Sequence, residues 1–191
     1  MLRKDINPIT CLVMFGKTSS KNITPFQAEN KKSFAKKFWV SVQKIKYFGA
    51  DSSRSKTIAA QPVVLKGIAK LAFDLAYGKI DSNEENLKQL WSKLVTNEID
   101  FSHKNKLWGA LFLDSEKRNK NFPGIEKYVH VPTGTNLDAG TFDSKTGWVR
   151  FGSKHNDIYP RIGDLIRYHL DFEPRKSVSR ALNKAVLSPI P

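Results

Sequence analysis

Eighteen residues near the middle of the chain, QPVVLKGIAKLAFDLAYG from Gln61 to Gly78, constrain the fold more than any other stretch. Val64, Leu65, Ile68, Leu71, Ala72 and Leu75 recur at spacings of three and four, the period of an α-helix and not of a strand. Pro62 suits a first helical turn, where its missing amide is no loss, and Gly78 is the expected terminator. The apolar stripe is wide, so neighbours should cover this helix on more than one side and it should lie centrally.

Other segments carry the same period. From Gln27, Phe34, Phe38, Val42 and Ile45 form one face, while Lys32, Lys36, Lys37 and Lys44 form the other. Leu87, Leu90, Trp91 and Leu94 predict a third helix ending near Asn97, with Asp81 or Ser82 as its cap and Glu84 and Glu85 in its first turn, where the helix dipole favours them. Ile162, Leu165, Ile166 and His169 or Leu170 predict a late helix, and Val178, Ala181, Leu182 and Ala185 a short last one.

Between these segments the pattern changes. Pro8, Gly16 and Pro25 suggest a short apolar strand and a polar loop over residues 1–27. Residues 115–158 are rich in Gly, Pro, Asn and Thr, with β-like islands at Tyr128–Val131 and Trp148–Phe151, and read as a long excursion holding a hairpin. Loops of that length in compact domains are usually functional or mobile. The expected fold is predominantly α (α+β): a helical bundle with a small β-hairpin excursion. It comprises an N-terminal strand/loop segment, 1–27, and a single mainly helical domain, 28–191. No internal repeat or coiled-coil heptad interrupts that reading.

A length of 191 residues with 40% hydrophobic side chains suits one self-sufficient core. The single cysteine, Cys11, excludes an intrachain disulfide framework and fits a reducing compartment, with the thiol used as a small buried apolar group. The apolar run Ile9–Gly16 is too short to span a bilayer, and Asp5 and Pro8 disfavour a signal peptide. A cytoplasmic protein with no membrane partner is the expectation.

Thirty-two Lys and Arg against eighteen Asp and Glu give a net charge of +14, which concentrates polyanions around the chain and makes nucleic acid the leading partner class. The charge is clustered: residues 31–70 hold ten basic side chains and one acidic, whereas 74–100 hold six acidic and three basic. Candidate phosphate contacts are Lys32, Lys36, Lys37, Arg54, Lys56, Arg150, Lys154, Arg161 and Arg167, the alternative use of such charges being a solvated face. Trp39, Trp91 and Trp108 lie in or beside helical stripes and are expected to pack. Trp148, beside Arg150 and Lys154, is the indole placed to stack on a base, unless it anchors its hairpin.

Chemistry has fewer handles. His103, His130, His155 and His169 show no metal-binding spacing, and neither a Walker loop nor a G-x-G-x-x-G motif is present, so no metal and no cofactor are expected. The best enzymatic candidate is GSKHND, where His155 and Asp157 lie in a basic loop; His103, His130, Glu98 and Asp100 are further acid/base candidates. The simpler use of that loop is a polar turn before a helix at Tyr159, with Asn156 or Asp157 as cap, and no catalytic residue is assigned.

The order of several stretches is itself informative: FWVSVQKI from Phe38, Arg54 in a loop, VVLKGIAKLAFDL from Val63, LWSKLVTNEIDFSHKNKLWGAL from Leu90, and RIGDLIRYHLDFEP from Arg161. Together they resemble the C-terminal half of the DGQHR-domain family of DNA-sulfur-modification-associated (DndB) proteins, most specifically over Ile99–His103 to Trp108. The resemblance covers roughly residues 34–174 and implies a DNA-associated, regulatory role in bacterial DNA modification or defence. The Asp-Gly-Gln-His-Arg motif itself is absent, so the resemblance transfers no activity and implies a protein carrying the missing N-terminal half as a partner.

Three functions stand as expectations. The first is a DNA-binding accessory or regulatory domain using the basic residues named above. The second is a nuclease or toxin-like enzyme using His155 with Asp157 or His103. The third is a protein-interaction fragment of a larger split protein. In the stretch from Leu90 to Asp114, Trp91 and Trp108 are expected to pack from two helices onto a shared core, with Asp100 or Ser102 capping the second.

Overall fold

The computed structural model describes residues 3–129 and 139–176. Among the described residues it is mainly helical, with one two-stranded antiparallel sheet. The helix expected over Gln61–Gly78 is α4, Pro62–Tyr77, and it buries residues all round its length: Val63, Val64, Leu65, Ile68, Ala69, Leu71, Ala72 and Leu75. Each Val or Leu so covered contributes about 1.5–3 kcal/mol relative to exposure. Helix α1, Arg3–Phe15, and helix α7, His155–His169, are its main neighbours, and α5, Glu84–Val95, also lies against it. Helix α2, Pro25–Val42, covers α1 and α5 from outside.

Gly78 does end α4, but in extended backbone and not through a left-handed cap. A Cβ there would stand 2.4 Å from the Asp74 carbonyl oxygen, so close approach to the last turn is what requires glycine. Gly67 serves the α4–α7 contact, since its Cβ would fall 2.7 Å from Ile162 Cγ2 and 3.0 Å from the Tyr159 carbonyl oxygen.

The N-terminal segment differs from the strand expected there. Ile9, Leu12 and Val13 fall at helical spacing and are fully buried, with Cys11 and Met14 beside them, and the packing of that face on α4 overrides the strand-like look of a short apolar run. Pro8 lies inside α1, where it leaves only the carbonyl of exposed Lys4 without its helical donor. The Trp39 indole donates to Thr10 Oγ1 at 3.1 Å, fastening α2 to α1. Burial pushes the Cys11 thiol pKa up, as expected of a thiol used for packing.

Side-chain caps set the starts of α2 and α5. Helix α2 begins two residues before Gln27, on a box in which the Gln27 amide donates to Thr24 Oγ1 and the Thr24 amide donates to Gln27 Oε1. Asn83, not Asp81 or Ser82, caps α5 by accepting from the Asn86 amide at 3.0 Å. Trp91 packs edge-on against Phe34 of α2, with ring centroids 5.7 Å apart.

Trp108 lies in a 3₁₀ helix, Lys106–Phe112, and not in an α-helix. Asn105 caps it, while Asp100 instead accepts from the Ser102 amide and hydroxyl in a local turn. The Trp108 indole donates to the Asp100 carbonyl at 2.8 Å and its ring lies parallel to Phe101, 5.3 Å away, inside the same apolar cluster that holds Trp91.

The excursion holds more regular structure than expected. Asp114 caps a short helix α6, Ser115–Asn121, and a 3₁₀ turn comes next at Ile125–Lys127. Strand β1, Gly140–Asp143, pairs with β2, Trp148–Phe151, in the register Gly140 with Phe151 to Asp143 with Trp148. Trp148–Phe151 is thus a strand as expected; Tyr128 and Val129 are not, and Val131 lies outside the described residues. Helix α7 starts four residues before Tyr159, with no side chain of Asn156 or Asp157 capping it, and the short helix expected over residues 178–185 lies outside the described residues.

Candidate functional site

Period-two alternation on β2 decides what the hairpin presents. Val149 and Phe151 turn inward and are buried, which puts Trp148 and Arg150 together on the outer face. Two polar side chains lock the strand in place. Gln61, just before α4, donates from Nε2 to the Val149 carbonyl and accepts at Oε1 from the Phe151 amide, both at 2.9 Å.

His103 is the second lock. Its Nδ1 accepts from the Val149 amide at 3.0 Å, so Nε2 carries the proton and donates to the Arg54 carbonyl at 3.1 Å. The imidazole is buried and stacks beneath Trp148, with centroids 5.7 Å apart and planes 14° from parallel. Arg54 belongs to α3, Ser53–Lys56, a single helical turn with no buried residue.

These bonds frame a cavity of about 450 Å³, lined by Asp5 from α1, Arg54 from α3, the start of α4, Trp148 and Arg150 from β2, and His155 from the first turn of α7. Lys66, one turn into α4, adjoins it, with its Nζ 3.1 Å from Nδ1 of His155. A protonated amine has no lone pair to offer, so Nδ1 accepts and His155 is neutral in this arrangement. Burial holds His155 below the usual imidazole range, and the Lys66 charge pushes the same way. Burial also lowers Lys66, with Asp5 opposing. Among the described residues, Arg54 and Arg150 line the cavity with one carboxylate, Asp5, and Lys66 adjoins it, an environment suited to an anion.

A second cavity, of about 560 Å³, lies on the other side of α3 and shares His103 as a wall. Lys46, Tyr47, Lys56, Asn97, Asp100 and Lys104 are among its lining residues.

The basic residues singled out from sequence therefore divide. Arg54 and Arg150 meet at the first cavity, Lys56 lies across α3 from them, and exposed Lys154 directly precedes His155. Lys32, Lys36 and Lys37 lie on the exposed side of α2, with Lys32 paired to Glu29 at 3.1 Å and Lys37 5.9 Å from the Trp91 ring centroid. Arg167 is not placed for a phosphate contact, and Arg161 is engaged within its own helix. Arg161 is half-buried and donates to the Asp157 carbonyl; Arg167 is buried and donates to the Glu173 carbonyl at 3.2 Å.

The histidines do not assemble. Asp157 is exposed and two residues from His155 on one helix, a separation that turns the side chains away from each other. Both nitrogens of His103 are bonded, His169 lies against the Glu98 carbonyl, and His130 lies outside the described residues. Among the described residues no group of three or more His, Cys, Asp or Glu is placed to hold a metal ion, and no helix is long and apolar enough to cross a membrane.

Sequence reasoning missed Lys66, Gln61 and Asp5 as site residues. Lys66 had one visible signal, a lone cation between Leu65 and Gly67 in the most apolar helix. No family model, curated protein or solved structure matches this chain.

Proposed function

We propose that the chain is a nucleic-acid-associated accessory or regulatory domain that holds its ligand at the cavity between α3, α4 and the hairpin. One observation carries this reading: β2 presents an indole and a guanidinium on one face, Trp148 and Arg150, at a cavity that Arg54 also lines and whose His155 is hydrogen-bonded to Lys66. An aromatic face for a base, with cations for the flanking phosphates, is the combination by which proteins hold nucleic acid without a metal or cofactor. The resemblance of the Ile99–Trp108 region to the DGQHR-domain family supports DNA as the nucleic acid and a DNA-modification or defence locus as the setting.

This reading sets the site apart from α2, where Lys32 pairs with Glu29 and Lys36 and Lys37 are exposed. Anisotropy of a labelled oligonucleotide, read across a salt series, tests the assignment. Binding should weaken steeply with salt, and Arg54→Ala with Arg150→Ala should both weaken it and flatten that slope by about two charges' worth. Lys36→Ala with Lys37→Ala should leave affinity within about twofold, because backbone contacts act only where phosphate lies. No binding by the wild type at low salt would end this reading.

A further inference from the structure

We propose that the two cavities flanking α3 are consecutive subsites for one single strand of nucleic acid, a base stacking on Trp148 in the first and on Tyr47 in the second. The inference rests on the nucleic-acid reading above and narrows it to unpaired strands. The two rings are open to nearly the same extent, 40% for Tyr47 and 38% for Trp148. Each stands among cations. Lys46 and Lys56 place Nζ 5.3 and 4.9 Å from the Tyr47 ring centroid, and Lys104 lines the same chamber. Asp100 is the sole carboxylate among the described lining residues, and both of its oxygens accept from Ser102.

The Tyr47 backbone is the second observation. Its φ of +66° is left-handed, a conformation that bulky residues adopt only when the surroundings impose it. Asn97 brackets the segment just before Tyr47, accepting from the Lys46 amide at Oδ1 and donating from Nδ2 to the Lys44 carbonyl at 3.0 Å. The Tyr47 ring lines the second chamber.

The partition between the chambers is thin. Arg54 of α3 lines one and Lys56 the other, with His103 walling both. A helix is ~10 Å across, a distance covered by about three nucleotides at ~3.4 Å each. In a duplex the bases are paired and stacked on one another, so neither ring reaches a base face unless one is extruded. An unpaired strand offers its faces freely.

The test uses the whole chain and an oligo(dT) series of two to twelve nucleotides, with an oligo(U) arm to separate DNA from RNA and a hairpin duplex as comparison. Affinity should climb about tenfold or more once the strand is long enough to reach both chambers, then flatten, and the duplex should bind more weakly than the long strand. Tyr47→Gly removes the ring while suiting the left-handed backbone, so it should fold, as thermal melting will verify. It should reduce long-strand affinity to the short-strand level, with Tyr47→Phe retaining it, whereas Trp148→Ala should weaken strands of every length. Long strands bound equally well by Tyr47→Gly and wild type, or a duplex bound as tightly as a strand, would overturn the two-subsite inference while leaving nucleic-acid binding standing. No binding of any probe by the wild type removes both.

Discussion

The Lys66 ammonium lies 3.1 Å from Nδ1 of His155, a contact between two basic groups that come from different helices and are 89 residues apart. The pairing requires a neutral imidazole, and burial disfavours the charged form independently. The unfolded chain therefore binds this proton more readily than the folded one. Stability from this site is present above the ordinary histidine value, about 6.5, and is lost as pH falls toward and through the lower folded value. Lys66→Met should raise the His155 value and shrink the acid-side loss, as NMR titration of the ring and melting at two pH values would read. An unmoved titration would mean that the Lys66 charge does not act on the ring.

Gln61→Ala removes both hydrogen bonds that hold β2 against the start of α4. The Phe151 amide and Val149 carbonyl lose their partners at a buried strand, so the cost should be about 2 kcal/mol in urea unfolding. Amide exchange should accelerate at Phe151 before it does in α4.

Gly67→Ala sets two effects against each other. Alanine is the better helix former by about 1 kcal/mol, yet its methyl would enter the space of Ile162 and the Tyr159 carbonyl. Overpacking at a helix crossing costs about 1–3 kcal/mol, and one of the two opposing groups is backbone, which yields poorly. The variant should be destabilised, by about 1–2 kcal/mol net; a raised melting temperature would show that α7 can shift aside.

Asp164, 2% exposed, accepts two bonds from the Arg175 guanidinium, at 2.9 and 2.7 Å. Asp164→Asn takes from Arg175 the carboxylate it is hydrogen-bonded to, and from buried Arg167 one of the carboxylates near it, Asp81 and Asp74 remaining. Removing one partner of a buried pair costs about 3–5 kcal/mol, and the lower end applies because Arg175 is 27% exposed. Denaturant unfolding at neutral pH measures it.

Legibility in the sequence tracked the range of the forces involved. Helix α4 was readable because its covering is periodic and local, and so was β2, since alternation is local too. Helix α1 was not, because its apolar run is short and follows a proline, and packing against α4 and α2 is what makes it a helix. The caps shifted where several polar candidates stood close together, by one or two residues from Asp81 or Ser82 to Asn83 and by three to five from Asp100 or Ser102 to Asn105. The site was half visible. Arg54, Arg150, His155 and Trp148 stood out by residue type, but their convergence depends on hydrogen bonds from Gln61 and His103 to a strand about ninety and forty-six residues away. No pattern within a helix or strand encodes such pairings.

Helix α3 is a partition that is tethered and not packed. It buries no side chain of its own, and its tethers are the His103 bond to the Arg54 carbonyl and the bonds of Thr57 and Ile58 to the Phe101 carbonyl just beyond it. Breaking a few hydrogen bonds costs far less than exposing apolar surface, so this turn opens locally at a free energy well below that of global unfolding. Its opening would move one backbone turn and leave the buried side chains of the bundle behind it in place.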